Sequence, residues 1–212
     1  FFFFSSNFVH YFNYILILGF IFIVSLSGCS PEDDITIPNF TPLLFGEDFA
    51  VGAVDNTVLN TSGWKNYAET GTALWKEQVY SGNAYAEFSS FQSGNAVNVA
   101  WLISPKINMD VHDKETLVFQ SSQSYVSSTL NTLQVLISTN FDGTNVTTAT
   151  WTPITATLPT TTSPYFEFIK SGEIDLSQYT GNISIAFKVT GSGTNTNLDG
   201  SYQIDDIRVY NK

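Results

Sequence analysis

The last strand-like segment of the chain, Tyr202–Tyr210, places the strongest restriction on the fold. Ile204 and Ile207 are apolar, and Asp205 and Asp206 stand between them. If the segment alternated strictly, the face that buries Ile204 would also bury Asp206, and an unpaired buried carboxylate is costly. Two alternatives follow. A β-bulge would shift the apolar face by one residue and leave both aspartates in solvent, or a cation such as Ca²⁺, which takes several oxygen ligands, would bind there.

Short apolar segments separated by Gly, Asn, Ser and Thr fill the chain from residue 43 onward. In the clearest of them Ile183, Ile185 and Phe187 alternate with smaller or polar residues, which indicates a strand with one buried face. The pattern predicts an all-β chain of about ten short antiparallel strands, arranged as a two-layer sandwich or jelly roll. The predicted strands cover residues 43–49, 63–67, 75–80, 84–91, 97–103, 116–120, 133–138, 165–169, 172–176, 182–189 and 202–210.

The composition excludes one class of partner. Hydrophobic residues make up 43% of the chain and aromatic residues 15%, which suits strands and a sizeable core. The net charge of −11 repels phosphate backbones, so we expect no nucleic-acid partner, whereas cations and neutral glycans are compatible with it. The single Cys excludes an intrachain disulfide.

The N-terminal segment resembles a bacterial lipoprotein signal peptide. Residues 1–28 contain no charged side chain, and the apolar run 14–26 is about 13 residues long, short for a bilayer span of about 20. A membrane anchor is the alternative if residues 8–14 are added to the run. Leu26-Ser27-Gly28-Cys29 resembles a lipobox, which predicts cleavage before Cys29 and lipidation of its thiol. An unmodified lone cysteine is the other interpretation.

An acidic, Pro-containing stretch follows the cysteine. Ser30-Pro31-Glu32-Asp33-Asp34 resembles the surface-export signal of lipoproteins from Bacteroidetes-type bacteria, and a plain solvated linker is the alternative. We therefore predict three parts: a signal peptide (1–28), a lipidated Cys with an extended tether (29–42) and a β-sandwich domain (43–212). The predicted location is the outer membrane, through a lipid anchor, with the domain exposed at the cell surface.

An ordered series of weak motifs resembles a known family over residues 44–210. The series resembles the choice-of-anchor J domain of Bacteroidetes lipoproteins, is similar to the cleaved-adhesin modules of gingipain-type proteases, and is more remotely similar to MAM domains. The resemblance implies a jelly-roll β-sandwich, usually without catalytic activity. Its motifs are Trp101-Leu102-Ile103-Ser104-Pro105, Leu117-Val118-Phe119, Val135-Leu136-Ile137-Ser138-Thr139, Ala149-Thr150-Trp151-Thr152, residues 171–179, Ile185-Ala186-Phe187-Lys188 and Ile204-Asp205-Asp206-Ile207.

The same resemblance implies a structural calcium ion. Cleaved-adhesin modules hold calcium between an acidic residue of the first strand and the aspartate pair of the last strand. The matching positions in this chain are Glu47 and Asp205 or Asp206, with the first and last strands side by side. Where the adhesin pattern often has a second Glu, this chain has Ala50, and Asp48 is the possible substitute.

The predicted domain lacks the residues of common enzyme sites. His112 is the only His after the predicted signal peptide, and it lies in a polar turn. The chain contains no Gly-x-Ser-x-Gly elbow, no zinc-type spacing and no strand with two carboxylates placed for glycoside hydrolysis. We therefore predict that the protein is not an enzyme.

Aromatic residues supply the remaining candidate site. Trp64, Tyr67, Trp75 and Tyr80 are close together in the sequence before the matched series. Flat aromatic faces stack on sugar rings, and nearby hydroxyl and amide groups supply hydrogen bonds. The alternative is that these four rings pack within the core or on a sheet. The sequence thus predicts a lipid-anchored, non-catalytic binding or adhesion module for a glycan or a surface protein. The alternative is an accessory structural subunit of an outer-membrane uptake or adhesion complex, with protein partners only.

Overall fold

β-Strands are the only regular secondary structure in the computed structural model, which describes residues 41–212. Five of its fourteen strands are two residues long, which leaves nine longer ones. The prediction of an all-β fold is therefore confirmed. The strands are β1 Leu43–Glu47, β2 Thr57–Val58, β3 Lys65–Thr70, β4 Lys76–Tyr80, β5 Asn83–Ser89, β6 Asn98–Ile103, β7 Ile107–Asn108, β8 Glu115–Ser124, β9 Thr132–Ser138, β10 Thr152–Pro153, β11 Ile169–Lys170, β12 Ile174–Asp175, β13 Asn182–Gly191 and β14 Ser201–Asn211.

The strands form two sheets. Sheet A has eight strands in the order β11-β8-β14-β5-β4-β2, with β1 also beside β14 and β12 also beside β8. Sheet B has six strands in the order β10-β9-β13-β6-β3, with β7 also beside β13. All these pairings are antiparallel. Central neighbours such as β14 and β5 come from distant parts of the chain, as expected for a jelly-roll sandwich.

The main core lies between the sheets and is built from alternate strand positions. Ile204 and Val209 point inward from β14, and Ile185 points inward from β13; all three are completely buried. Phe119 of β8 meets Phe187 of β13 edge to face, with ring centroids 5.2 Å apart, and so connects the two sheets. Burial of each large apolar side chain contributes about 1.5–3 kcal/mol, and this layer holds the sandwich closed.

A β-bulge interrupts the last strand at the two aspartates. Along β14 the pairing with β8 shifts between Asp205 and Arg208, and Asp206 has a positive φ of 50°. The extra residue brings both Ile204 and Ile207 to the buried face. The bulge alternative is thus confirmed, but the expectation that both aspartates are solvated is wrong, because Asp205 is buried.

The bulge lies where β14 changes its neighbour. Residues 201–204 pair with β5, whereas residues 207–210 pair with β1. The first and last strands are therefore side by side, as the resemblance implied. Glu47, at the end of β1, pairs with Ile207 just after the bulge. We call this junction of β1, β5 and β14 the seam.

Two predicted segments differ from the structure. Residues 165–169 do not form a full strand: Ile169–Lys170 pairs with β8, Tyr165 makes only an isolated bridge to Gln123, and Phe166 between them has a positive φ of 59°. β8 in turn extends four residues past the predicted end at 120, because polar residues such as Gln123 continue the pairing with β14.

Candidate functional site

Asp205 is the most buried carboxylate at the seam. It is 6% exposed. Its Oδ2 accepts a hydrogen bond of 2.8 Å from the Asn83 side chain, and its Oδ1 accepts one of 2.7 Å from the backbone N–H of Asp206. Burial raises the pKa of Asp205 above its ordinary value; the two hydrogen bonds oppose the rise, and the charges of Asp206 and Asp48 add to it. The seam therefore concentrates negative charge.

Asp206 faces a different set of partners. Its Oδ1 forms an ion pair of 3.0 Å with the Arg208 guanidinium, and its Oδ2 accepts a hydrogen bond of 2.7 Å from the Gln120 side chain. The Arg208 side chain is 58% exposed, so solvent screens this pair and its contribution to stability is small. The two adjacent aspartates thus do not act as one acid and base pair.

The two acidic residues at the end of β1 also accept hydrogen bonds from the protein. Glu47 Oε1 accepts from the backbone N–H of Phe49 at 2.8 Å, and Oε2 accepts from the Trp64 indole at 3.0 Å. Asp48 accepts from the backbone N–H of Ala50 at 3.0 Å. Glu47 therefore positions Trp64 as well as the turn that follows β1.

The seam has the right kind of oxygen atoms for calcium. Carboxylates and backbone carbonyls are its preferred ligands. Within residues 41–212, however, no group of three or more His, Cys, Asp or Glu side chains is arranged to hold a metal ion. Each of the four predicted carboxylates already accepts a hydrogen bond from the protein. The oxygen ligands are of the kind that calcium prefers, but they are not arranged to hold an ion. Calcium binding therefore stays a prediction.

The two predicted tryptophans pack against other aromatic rings. Trp64 is half-buried, and its ring centroid lies 6.1 Å from that of Phe45 and 5.2 Å from that of Phe49. Trp75 has no exposed surface and packs on Phe88 at 5.8 Å. A completely buried ring offers no face to a sugar, so Trp75 corresponds to the core-packing alternative.

The two predicted tyrosines lie on different sheets. Tyr67 is in β3 of sheet B, half-buried against the cluster around Trp101. Tyr80 ends β4 of sheet A and is 75% exposed. No ring–ring contact in residues 41–212 joins any two of the four predicted aromatics. Proximity in the sequence therefore did not bring them together in space.

The outer face of sheet A carries a hydrogen-bonded set of polar side chains that we call the outer polar network. Its members share the strand positions that point away from the core, because strand residues alternate between the two faces. Register places Gln203 directly between Glu87 on one side and Ser122 on the other. The network consists of Gln78 in β4, Glu87 in β5, Ser201 and Gln203 in β14, and Ser122 and Ser124 in β8.

Gln203 is the centre of the network and is completely buried. Its Nε2 donates to Glu87 Oε2 and to Ser201 Oγ, both at 2.7 Å, and its Oε1 accepts from Ser122 Oγ at 2.7 Å. The hydroxyls of Ser201 and Ser124 are 2.6 Å apart. Because the buried polar atoms are satisfied, the network fixes its side chains in one arrangement.

The network opens into a groove of about 480 Å³ beside β4 and β5. We call it the polar groove. Glu87 connects the two, since its Oε1 accepts a hydrogen bond of 3.2 Å from Gln78, which also lines the groove. Lys76 and Ser89 add an ammonium and a hydroxyl, and Phe91, which is 59% exposed, adds an aromatic ring. Several polar groups around one exposed ring suit recognition of a polyhydroxylated ligand.

An aromatic pair covers another part of this face. Tyr85 of β5 and Phe168, just before β11, meet edge to face with centroids 5.5 Å apart. Burial is the largest cause of a raised pKa for the Tyr85 hydroxyl, and the charge of Glu87 adds to the rise. The polar groove, and not the Tyr85 side, is therefore the open part of the network.

Sequence reasoning missed the outer polar network, although one signal was present. In the predicted strand 84–91, Ala86 and Phe88 alternate with Tyr85, Glu87 and Ser89. That alternation predicts a polar outer face on this strand. The partners across the sheet were not predictable, because they depend on the register with β14 and β8.

Two further predictions concern catalysis and the membrane. His112 is half-buried in a loop, and within residues 41–212 its side chain makes no ion pair with a carboxylate. Those residues also contain no helix long and apolar enough to span a bilayer. Cys29 and the predicted signal peptide lie outside the described residues.

Solved structures share the fold. The K2 cleaved adhesin domain of Lys-gingipain, a Porphyromonas gingivalis protein, is 15% identical with a TM-score of 0.51, and the match covers 79% of this chain and 99% of that domain. The second xylan-binding CBM22 domain of Paenibacillus barcinonensis Xyn10C is 14% identical (TM-score 0.47; 80% and 99% covered). TmCBM61, solved with β-1,4-galactotriose, is 12% identical (TM-score 0.45; 78% and 94% covered). At 15% identity, the likeness to the K2 adhesin domain shows a common fold alone.

Sequence comparison identifies the family more directly. No curated protein matches the chain in sequence. The choice-of-anchor J resemblance is not confirmed and stays a prediction. A family model described as DUF5017, a domain of unknown function, matches residues 78–212, more than half of the chain, and the protein therefore belongs to the DUF5017 family.

Proposed function

We propose that this protein is a non-catalytic glycan-binding module displayed on the bacterial surface through a lipid on Cys29. The observation that carries the proposal is the outer polar network, which is hydrogen-bonded throughout and opens into the polar groove at Glu87. Sites that are already arranged lose less conformational entropy when a ligand binds. A groove that combines amide, carboxylate and hydroxyl groups with one exposed ring suits a sugar.

The charges around the groove favour a neutral glycan. Glu87 and Gln78 offer acceptors and donors to hydroxyl groups, and Phe91 offers a ring face. The net charge of −11 disfavours polyanionic glycans. Glu87 is the one carboxylate among the described residues that line the groove, whereas glycoside hydrolysis uses two carboxylates across the scissile bond. Binding without hydrolysis is therefore the activity that the groove supports.

Xylan and β-1,4-galactan are suitable first probes, because structures with this fold were solved as a xylan-binding domain and with β-1,4-galactotriose. Affinity electrophoresis and calorimetry of residues 29–212 would measure binding. We expect Phe91→Ala to weaken binding about two- to tenfold, since an aromatic contact contributes about 0.5–1.5 kcal/mol. Val111→Ala, an equally exposed apolar residue outside the groove, is the matched control. Equal binding by both variants would contradict the proposed site.

The anchor and the alternative function have separate tests. Mass spectrometry of the exported protein should find an acylated Cys29, and an unmodified thiol would exclude the lipid anchor. If a panel of neutral polysaccharides gives no binding and the protein co-purifies from membranes with fixed protein partners, the accessory-subunit alternative replaces glycan binding.

A further inference from the structure

Three exposed aromatic residues lie together at the end of β8 and in the loop before β11. Tyr125, Tyr165 and Phe166 are 64%, 53% and 50% exposed. The Tyr125 and Tyr165 rings are 4.8 Å apart at their centroids and tilted by 48°. We call these three residues the aromatic platform. Large rings half or more in solvent contribute little to core packing, so their position requires another explanation.

The backbone of the platform is held in an unfavourable conformation. Tyr125 and Phe166 have positive φ angles of 60° and 59°, the left-handed region that bulky residues rarely adopt. Such a conformation costs of order 1–3 kcal/mol and persists only where the surrounding structure enforces it. Residues held in such sparsely populated backbone regions cluster at active sites and ligand-binding sites.

Gln123 enforces that conformation from a completely buried position. Its Oε1 accepts a hydrogen bond of 3.0 Å from the backbone N–H of Val126, and its backbone carbonyl accepts one of 2.8 Å from Phe166. Its side-chain Nε2 also donates to the carbonyl of Ser163. One side chain therefore holds both loops of the platform. Gly200 packs behind them, where a Cβ would lie 2.6 Å from Val126 N.

The platform and the polar groove are at the same end of sheet A. Ser201 pairs with Ser89 on one side and with Ser124 on the other. Ser89 lines the groove, and Tyr125 directly follows Ser124. Because neighbouring strands are about 4.8 Å apart, Ser89 and Ser124 are separated by about 10 Å across the sheet. Within this interval lie Ser201 and Ser124, two buried members of the outer polar network whose hydroxyls are hydrogen-bonded to each other.

We propose that the aromatic platform is a second subsite, at which a pyranose ring of a neutral glycan stacks while another part of the same glycan occupies the polar groove. This inference rests on the proposed glycan-binding function. The flanking groups are mainly hydroxyls, from Thr160, Thr162 and Ser163, which suit a sugar. Glu167, beside the platform, is exposed and repels anionic polymers. A patch of three rings is also far smaller than a stable protein interface.

The test compares ligands of increasing length. Calorimetry would measure xylo- and galacto-oligosaccharides, from disaccharides to hexasaccharides, with the wild type, Tyr165→Ala and Tyr165→Phe. Tyr165 is chosen because it lies outside the left-handed backbone region, so alanine introduces no new strain. We expect Tyr165→Ala to weaken hexasaccharide binding about two- to tenfold and to leave disaccharide binding unchanged, as stacking on one ring predicts. Tyr165→Phe retains the ring and should bind like the wild type.

Other results would overturn the inference. If Tyr165→Ala binds all lengths like the wild type, or weakens all lengths equally, the platform is not a second subsite, although the polar groove still binds glycan. If the wild type binds no oligosaccharide or polysaccharide, the proposed function itself fails. If Tyr165→Ala leaves glycan binding intact but abolishes capture of a protein partner, the platform is a protein interface.

Discussion

The outer faces of the two sheets are covered in different ways. On sheet B, Trp101 is 4% exposed and packs against Trp151, with ring centroids 5.3 Å apart. Phe141 also packs on Trp151, with ring centroids 5.5 Å apart, so the chain between β9 and β10 covers this face with apolar side chains. On sheet A the corresponding face carries the outer polar network.

The apolar face of sheet B and the polar face of sheet A suit different roles, namely stabilising the fold and recognising a ligand. An apolar cover gains free energy by excluding water but leaves no polar group for a ligand. A hydrogen-bonded polar face contributes less to stability, since each bond replaces one with water, but its groups have fixed positions. The sandwich thus uses sheet B to stabilise the fold and sheet A to present the candidate site.

The largest expected effect is on sheet B. Trp101→Ala should lower the free energy of unfolding by about 3–5 kcal/mol, because it removes a large buried ring and leaves a cavity. Chemical denaturation would measure the loss. Polysaccharide binding by the fraction that stays folded should be unchanged. Weaker binding at equal folded concentration would contradict the assignment of this face to stability alone.

Calcium would affect the seam of sheet A and not sheet B. If the ion binds only the folded state, saturation at a hundred times its dissociation constant adds about 2.7 kcal/mol. A chelator should then lower the melting temperature of the wild type. Asp206→Ala should melt at that lower temperature whether or not calcium is added. Glu173→Ala, which removes an exposed carboxylate that pairs with Lys212 and is not among the predicted ligands, is the matched control. Unchanged melting of the wild type on chelation would exclude a stabilising ion.

Gln203→Ala should combine a moderate loss of stability with a loss of binding. The change leaves the buried Ser122 hydroxyl without its partner, and an unsatisfied buried group costs about 1–3 kcal/mol. It also removes the 2.7 Å bond to Glu87, which keeps only its longer bonds from Gln78 and Ser201. The looser Glu87 should weaken polysaccharide binding in the polar groove. Ser184→Ala, an equally buried polar residue on the outer face of sheet B, should change neither property. Similar effects of the two variants would remove the distinction between the faces.

The fold could be predicted from the sequence because it depends on local alternation. The segments 133–138 and 182–189 match β9 and β13 closely. The bulge at Asp205 was predictable for the same reason, since strict alternation would have buried the wrong side chain. These features are properties of single strands.

The candidate site could not be predicted, because it depends on register between strands far apart in the sequence. Glu87 and Gln203 are separated by more than a hundred residues and meet only through the pairing of β5 with β14. The four aromatics close together in the sequence were the more visible signal, but β3 and β4 carry Tyr67 and Tyr80 to different sheets. Proximity along a β-chain says little about proximity across a sandwich.

The smallest expected effect concerns the one charged contact on the cover of sheet B. Lys188 Nζ lies 4.5 Å from the Trp101 ring centroid and 3.2 Å from Glu69, and both charged side chains are partly exposed. Partly exposed cation–π and ion pairs contribute about 0.5–1 kcal/mol each at most. Lys188→Gln should therefore lower the free energy of unfolding by at most about 1–2 kcal/mol, with the ionic part of the loss absent in high salt.

Lys170→Gln is the control on sheet A, where within the described residues Lys170 has no ion-pair partner. It should leave the unfolding free energy unchanged. A loss for Lys188→Gln as large as that for Trp101→Ala would mean that charge holds this face together. Apolar rings surround the Lys188–Glu69 pair on the outer face of sheet B, whereas polar side chains cover the outer face of sheet A. We therefore expect apolar packing, and not charge, to account for most of the difference in stability that the two faces contribute.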